Sequence, residues 1–197
     1  MNRVEARLEI FDFAGLHVLT NRTTVEESKD RYSISMDLDT RGLARVFVDL
    51  TSHSEVHGRL GTNTARPEAY RAEVRRNGND RHYAVDYRGD GAVINASVAP
   101  AVGKPVLSSA EQIRGIVDQL TAYFVLERQL AQSGRCALVV PVFDGSGLYN
   151  VRFTDIKPET LSADDYQNFT GPTRLCEVSR EEIRVDQDGD TYRRGRI

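Results

Sequence analysis

Alternating apolar and polar residues dominate the first hundred positions of the chain. From Arg31 to Asp39, Ala69 to Arg75 and His82 to Tyr87, every second residue is apolar and the residues between are mostly polar. Successive side chains of a strand point to opposite faces, so this pattern predicts strands with one buried face. Further strands are predicted at residues 7–13, 16–25, 44–60 and 92–98, joined by tight turns in an antiparallel meander over residues 1–99.

The period changes after Pro105. The sequence Ser108-Ser-Ala-Glu111 has the composition of a capping box, and apolar residues follow at helical spacing as far as Leu130. Gly134 suits a helix C-terminus, so a helix is predicted over residues 108–134, with Gly115 and Asp118 as the positions where it would kink or break. Its apolar stripe requires a partner surface, which the sheet provides.

A hairpin and one closing strand are predicted over residues 136–185. Strands at 137–143 and 148–156 flank the turn Asp144-Gly-Ser-Gly147, residues 158–172 form a long loop, and 173–185 return as a strand. The whole pattern predicts a single domain, residues 1–197, with a mainly β (α+β) fold. In this fold a strongly curved antiparallel sheet, a half-barrel or open barrel, wraps around one long or broken helix.

Composition excludes some function classes. Of the 197 residues, 40% are hydrophobic and 28% charged, which is enough apolar material for a core. The net charge of −3 and the pI of about 5.8 give no basic field, so we expect no nucleic-acid partner. No apolar run is long enough to predict a transmembrane segment. The N-terminus lacks the order of an export signal, which leaves a cytosolic protein or a removed signal peptide.

Short polar motifs resemble catalytic or metal sites without their full patterns. Asp144-Gly-Ser-Gly147 differs from the aspartic-protease loop because Gly separates Asp from Ser, so we expect a hairpin corner. Asp186-x-Asp188-Gly-Asp190 resembles part of a calcium loop, but the glycine at the centre of such a loop and the glutamate at its end are missing, so we expect a solvated turn. Ser and His residues at 52–57 lie on one strand and cannot converge, and Asp37 and Asp39 are predicted to face solvent. We therefore predict no catalytic residue, no metal site and no cofactor.

Aromatic residues are more informative. Most lie on the apolar faces of the predicted strands and helix, where they form either a packed core or the wall of a partly open apolar cavity. For the second interpretation, the candidate ligand-binding residues are Phe11, Phe13, Tyr32, Met36, Tyr70, Tyr83, Tyr123 and Phe124.

The two cysteines leave two alternatives open. Cys136 and Cys176 are either buried free thiols or one disulfide, which would close a loop of about 40 residues. Two cysteines without two further ligands do not make a structural zinc site.

An ordered set of motifs resembles a known family. The motifs are Phe11-Asp-Phe-Ala-Gly15-Leu16, Asp39-Thr40-Arg-Gly42-Leu43, Gly58-Arg-Leu60, Pro67-Glu-Ala-Tyr70, Gly115-Ile-Val-Asp118-Gln-Leu120-Thr121, Cys136, Val142-Phe143-Asp144-Gly145, Tyr149 and Cys176. Their order and spacing are similar to the bacterial envelope proteins of the domain-of-unknown-function family 3108, over nearly the whole chain.

The resemblance carries several expectations. It implies export to the periplasm, a curved antiparallel sheet around helices as in lipoprotein carriers, and a Cys136–Cys176 disulfide. It assigns no catalytic residues. Two departures are the missing signal peptide and an end to the chain where further strands would be expected. We therefore expect a non-enzymatic periplasmic envelope protein that binds a lipid-like apolar ligand or a partner protein. The alternative is an interaction or scaffold protein with a filled core and no small-molecule site.

Overall fold

The protein is mainly β. The computed structural model describes residues 1–12, 14–62, 64–101, 115–163 and 169–183, and the backbone of 193–196. The elements are β1 (Asn2–Phe11), β2 (His17–Glu27), β3 (Arg31–Thr40), α1 (Ala44–Phe47), β4 (Leu50–Leu60), β5 (Ala65–Arg76), β6 (Asn79–Tyr87), β7 (Val93–Ala99), α2 (Gln119–Ser133), β8 (Leu138–Phe143), β9 (Leu148–Leu161), β10 (Gly171–Glu182) and β11 (Arg193–Arg196).

These strands form two antiparallel sheets. The first has seven strands in chain order, β1 to β7, and the second has four, in the order β11-β10-β9-β8. Neighbouring strands of the first sheet follow one another along the chain, as the predicted meander requires, and α1 lies in the connection between β3 and β4. The division into two sheets was not predicted, because alternation along the sequence does not show which strands lie next to β8 besides its hairpin partner β9.

The period of two sorts the side chains of the seven-stranded sheet between its faces. Tyr32, Ile34, Val56, Tyr70 and Val85 are buried on one face. The other face carries the ion pairs Arg71–Asp86 and Arg59–Glu68 and a hydrogen bond between His53 and Asp37. This agrees with the alternation in the sequence, and it places the core on the side of the sheet that faces α2.

Helix α2 covers the part of the predicted helix that follows Asp118, one of the two positions at which a break was predicted. It begins after Asp118, whose side chain caps it, and ends at Gly134, which adopts a left-handed conformation with φ 67°. Residues 115–118 are not helical, and Val117 forms a parallel bridge with Val142 of β8. The predicted capping box at 108–111 lies outside the described residues.

Helix α2 contacts both sheets. Leu120 and Phe124 belong to the core of the seven-stranded sheet, whereas Ala122 and Leu126 pack with the four-stranded sheet. A helix buried on two sides needs apolar residues around most of its circumference, which explains why its apolar stripe is broad. The tertiary position of α2 therefore joins the two cores.

Two predicted boundaries were wrong. Residues 44–47 form a single turn of helix instead of the start of a long strand, so β4 begins at Leu50. Residues 158–161 and 171–172 pair in the β9–β10 ladder instead of lying in a loop. Pro158 is tolerated in this strand because β9 extends past Phe153 without β8 beside it, and a strand with one open side accommodates proline.

The fold class is confirmed at the level of a mainly β, antiparallel protein with helix. Neither sheet is closed or strongly curled, so the predicted half-barrel or open barrel is not supported. Alternation of residues predicts which face of a sheet is buried, but it carries little information on how far the sheet bends, which depends on twist and bulges.

The disulfide is confirmed. Cys136 and Cys176 are bonded, and both are almost fully buried. Cys136 follows the end of α2 and Cys176 lies in β10, so the bond ties the helix exit to the four-stranded sheet. The backbone amide of Cys136 also donates to Asp155 of β9, whose carboxylate pairs with Arg174. This ion pair lowers the pKa of Asp155 to about 2.

Candidate functional site

An apolar cleft of about 680 Å³ lies between the seven-stranded sheet and α2. It is open to solvent, since Leu8, Tyr123 and Glu127 among its lining residues are exposed. Its lining residues are Leu8, Asn21, Thr23, Val25, Ile34, Met36, Leu38, Leu50, Ser52, Ser54, Tyr70, Ala72, Val74, Tyr83, Gln119, Leu120, Tyr123, Phe124, Glu127, Asp144 and Ser146. The volume falls within the range of small-molecule sites.

The floor of the cleft consists of rows of residues that run across the strands. The first row is Leu8, Asn21, Leu38, Ser52 and Val74, which pair in register from β1 to β5. The middle row is Thr23, Met36, Ser54, Ala72 and Tyr83, from β2 to β6.

The third row explains where the helix packs. It runs through Val25, Ile34, Val56, Tyr70 and Val85, and most of it is buried in the core with Leu120 and Phe124. The middle row instead carries the small side chains of Thr23, Ser54 and Ala72. The large residues of the third row therefore fill the space between the sheet and the helix. The small residues of the middle row leave the neighbouring space open, and this space is the cleft.

One face of α2 forms the wall of the cleft. Gln119, Tyr123 and Glu127 follow one another at intervals of four residues, and Leu120 and Phe124 lie beside them. Tyr123 also contacts the four-stranded sheet, because its ring meets Phe153 edge-on at 5.5 Å. The wall is therefore supported from behind by the second core.

The turn between β8 and β9 closes one end of the cleft. Asp144 Oδ1 accepts from the amides of Ser146 and Gly147 and from the Ser146 hydroxyl, at 2.8–2.9 Å. Gly145 has φ 94°, and a Cβ there would lie 3.6 Å from Tyr83. The turn is thus the predicted hairpin corner, and in addition it packs against β6 and contributes two cleft residues.

Charged groups in the cleft are few and of one sign. Glu127 and Asp144 line it, and no Lys, Arg or His does so among the described residues. Burial among protein atoms, followed by the nearby Glu27 carboxylate, raises the pKa of Glu127, although water reaches its side chain. The remaining polar lining groups are neutral hydroxyls and amides.

A buried polar chain fixes the start of the helix beneath the cleft. Asp118 is fully buried and accepts from the amide of Thr121 at 2.9 Å and from its hydroxyl at 2.6 Å. The Thr121 hydroxyl also shares a 2.8 Å hydrogen bond with Tyr32, whose ring stacks on Phe124 at 5.0 Å. Burial raises the pKa values of Asp118 and Tyr32 above their ordinary values.

The structure brings five of the eight predicted ligand-binding residues to the cleft: Met36, Tyr70, Tyr83, Tyr123 and Phe124. Tyr32 lies behind Phe124 in the core, and Phe11 packs against His17 near the β1–β2 turn, away from the cleft. Phe13 lies outside the described residues.

The polar lining residues were missed. Ser52 and Ser54 are small polar residues on an inward face, and Glu127 follows Tyr123 at a spacing of four on the helix, so both signals were visible in the sequence. A small or polar residue on a buried face can lie against a packed side chain or beside an open cleft. The two cases can be distinguished only when the element that packs on that face is known.

The fold places the residues of the short catalytic-like motifs on different faces of the sheet. Ser52 and Ser54 face the cleft, whereas His53 lies on the other face and pairs with Asp37 at 2.7 Å. Asp39 pairs with Arg41. Within the described ranges, no group of three or more His, Cys, Asp or Glu residues could hold a metal ion, and no helix is long and apolar enough to cross a membrane. Residues 186–190 lie outside those ranges.

The fold and the cleft define a mainly β protein with a solvent-open apolar site between a sheet and a helix. Residues 7–193 match the model of the family described as protein of unknown function (DUF3108), and the chain belongs to that family. No curated protein and no solved structure matches the chain.

Proposed function

We propose that this protein is a non-enzymatic protein of the bacterial periplasm that binds a lipid-like apolar ligand in the cleft. The observation that carries the proposal is the 680 Å³ cleft, whose floor is formed by apolar and small neutral residues of β1 to β6. Sites of this kind gain affinity from burial of the ligand's apolar surface and orientation from a few polar groups.

Two further observations support the proposal. The disulfide is of the kind that persists in oxidising compartments such as the periplasm. The serine hydroxyls and histidine rings of β4 point to opposite faces, so these groups do not form a nucleophile–base pair across the strand.

The test uses native mass spectrometry of the protein purified from a bacterial envelope fraction. We expect a co-purifying lipid-like molecule, and a higher melting temperature after lipid is added. The Ser52→Trp variant should lose both effects, because the indole would occupy the floor of the cleft. Thr51→Trp is the matched control, since Thr51 is exposed on the neighbouring position of the same strand and points away from the cleft.

The chain has no natural tryptophan, so either variant also provides a single fluorescent reporter. Absence of a co-purifying molecule together with an unchanged melting temperature in added lipid would refute the ligand proposal. Absence of the protein from the envelope fraction would refute the periplasmic location.

The alternative is an interaction protein that acts through its exposed surface. One observation favours it: β1 is an edge strand of the seven-stranded sheet, and Val4, Leu8 and Ile10 are exposed apolar residues on one of its faces. An open edge strand can pair with a strand of another protein. A Val4→Lys/Ile10→Lys variant that loses a partner but keeps bound lipid would support this alternative.

A further inference from the structure

The charged residues that line the cleft, Glu127 and Asp144, indicate which charge its ligand carries. Glu127 lies on the helical wall, two turns beyond Gln119, and it is the charged residue of that face. Its carboxylate makes no hydrogen bond and no ion pair with any part of the chain that the structure describes. A carboxylate that lines an apolar cleft without a partner is less favourable than one paired to a cation.

The cation that neighbours Glu127 in sequence already forms an ion pair with another residue. Arg128 follows Glu127 in sequence but binds Glu27 of β2 at 3.3 Å, and its guanidinium lies 5.8 Å from the centroid of the Phe124 ring. This ion pair anchors the C-terminal half of α2 over β2. Glu127 therefore lies near the β1–β2 end of the cleft, beside a like charge on Glu27 that raises its pKa further.

The second carboxylate of the cleft is compensated. Asp144 accepts three hydrogen bonds from its own turn, and Arg180 lies 3.8 Å from its Oδ2. It lies at the β6 end, where the turn contacts Tyr83. The distance across four strand spacings, from β2 to β6, is about 19 Å, enough for an extended acyl chain between the two ends.

We propose that the cleft selects amphiphiles whose polar end is an amine or a quaternary ammonium, bound at Glu127, with the apolar chain lying across the sheet towards Tyr83. This inference rests on the proposed function, because it assigns the ligand class of the same cleft. A fatty acid or a phosphate at the same place would meet the Glu127 carboxylate, and no Lys, Arg or His among the described lining residues would compensate its charge. Like charges repel most strongly where water is partly excluded.

The experiment measures binding of three ligands with the same twelve-carbon chain by isothermal titration calorimetry. They are dodecyltrimethylammonium, dodecanoate and dodecyl maltoside, each below its critical micelle concentration. We expect dodecyltrimethylammonium to bind about tenfold more tightly than dodecanoate, with the neutral maltoside in between. The difference is modest because water reaches Glu127 and screens the pair.

Two variants identify the carboxylate responsible. Glu127→Gln should weaken dodecyltrimethylammonium binding by roughly fivefold and leave the maltoside unchanged. Glu127→Lys should reverse the preference in favour of dodecanoate. Glu55→Gln removes the same charge from an exposed position on the opposite face of the sheet and should change nothing. Circular dichroism of each variant checks that it folds as the wild type does.

The outcomes separate the two proposals. If none of the three ligands binds, the ligand-binding function itself is refuted. If dodecanoate binds as tightly as dodecyltrimethylammonium, or if Glu127→Gln has no more effect than Glu55→Gln, the cleft binds apolar chains but the amine selectivity is refuted.

Discussion

At the scale of single residues, the most consequential feature is a carboxylate buried at the start of α2. Asp118 is inaccessible to solvent, and its oxygens accept from the amide and hydroxyl of Thr121. Capping favours an acceptor at this position, while burial disfavours its negative charge. The two effects can be separated, since an asparagine also accepts a hydrogen bond but carries no charge.

The sign of the pH effect follows from the raised pKa of Asp118. The folded state holds the proton to a higher pH than the unfolded chain, in which the pKa is about 3.9. The contribution of Asp118 to stability is therefore fully present below that value and is lost as the pH rises through the raised folded pKa.

We predict that the Asp118→Asn variant gains stability relative to the wild type as the pH rises from 4 to 8, because it has no proton to lose. Asp118→Ala should lower the free energy of unfolding by about 1–2 kcal/mol through loss of the cap. Urea unfolding at several pH values measures both. Parallel pH profiles for the wild type and Asp118→Asn would contradict the prediction.

At the scale of elements, the pairing of β4 with β5 requires a glycine at position 58, which in the sequence stood out only as part of the family motif Gly58-Arg-Leu60. Gly58 is buried where the β4–β5 register shifts between His57 and Gly58. A Cβ at this position would lie 2.2 Å from the carbonyl oxygen of Arg66 and 2.7 Å from the ring of Tyr32. The close approach of two strands and a core ring leaves no room for a side chain.

We predict that Gly58→Ala destabilises the protein by about 1–3 kcal/mol or more, since backbone and a buried ring would both have to move. Thermal unfolding followed by circular dichroism gives the measurement. Gly89→Ala is the control, because a Cβ there meets nothing within 4 Å. Equal melting temperatures for the two variants would show that β5 moves aside without cost.

At the scale of the whole molecule, stability depends on how the helix is held between two sheets. The core of the seven-stranded sheet contains Leu120 and Phe124, and that of the four-stranded sheet contains Ala122, Leu126 and both cysteines. The disulfide closes a loop with a sequence separation of 40 residues, from the helix exit to β10. The disulfide therefore reduces the conformational entropy of the unfolded chain in the segment that connects the helix to the second sheet.

We predict that the Cys136→Ala/Cys176→Ala variant loses roughly 4 kcal/mol of unfolding free energy, the value of the chain-entropy model for a loop of this size. Denaturant unfolding of the variant, and of the wild type with and without reductant, measures the loss. Reduced wild type should approach the variant. If reduction leaves the midpoint of the wild type unchanged, the bond does not contribute in this way.

The sequence alone predicted the elements and the faces that they bury. Residues 31–39 and 69–75 alternate so regularly that their strands and inward residues follow from backbone geometry. The hairpin corner at Asp144 followed from turn chemistry, and the disulfide from a family resemblance that the match over residues 7–193 confirms. These features depend on residues close in sequence or on an inherited pattern.

Only the tertiary structure decided the division into two sheets, the helix between them and the cleft. Tyr32 and Tyr70 have the same periodicity, yet Tyr32 packs behind Phe124 while Tyr70 lines the cleft. Periodicity tells which way a side chain points. Whether that side chain meets a ring, a small residue or open space depends on an element that is distant in sequence. For the same reason, Glu127 becomes a candidate ligand-binding residue only because strands distant in sequence form the cleft that it lines.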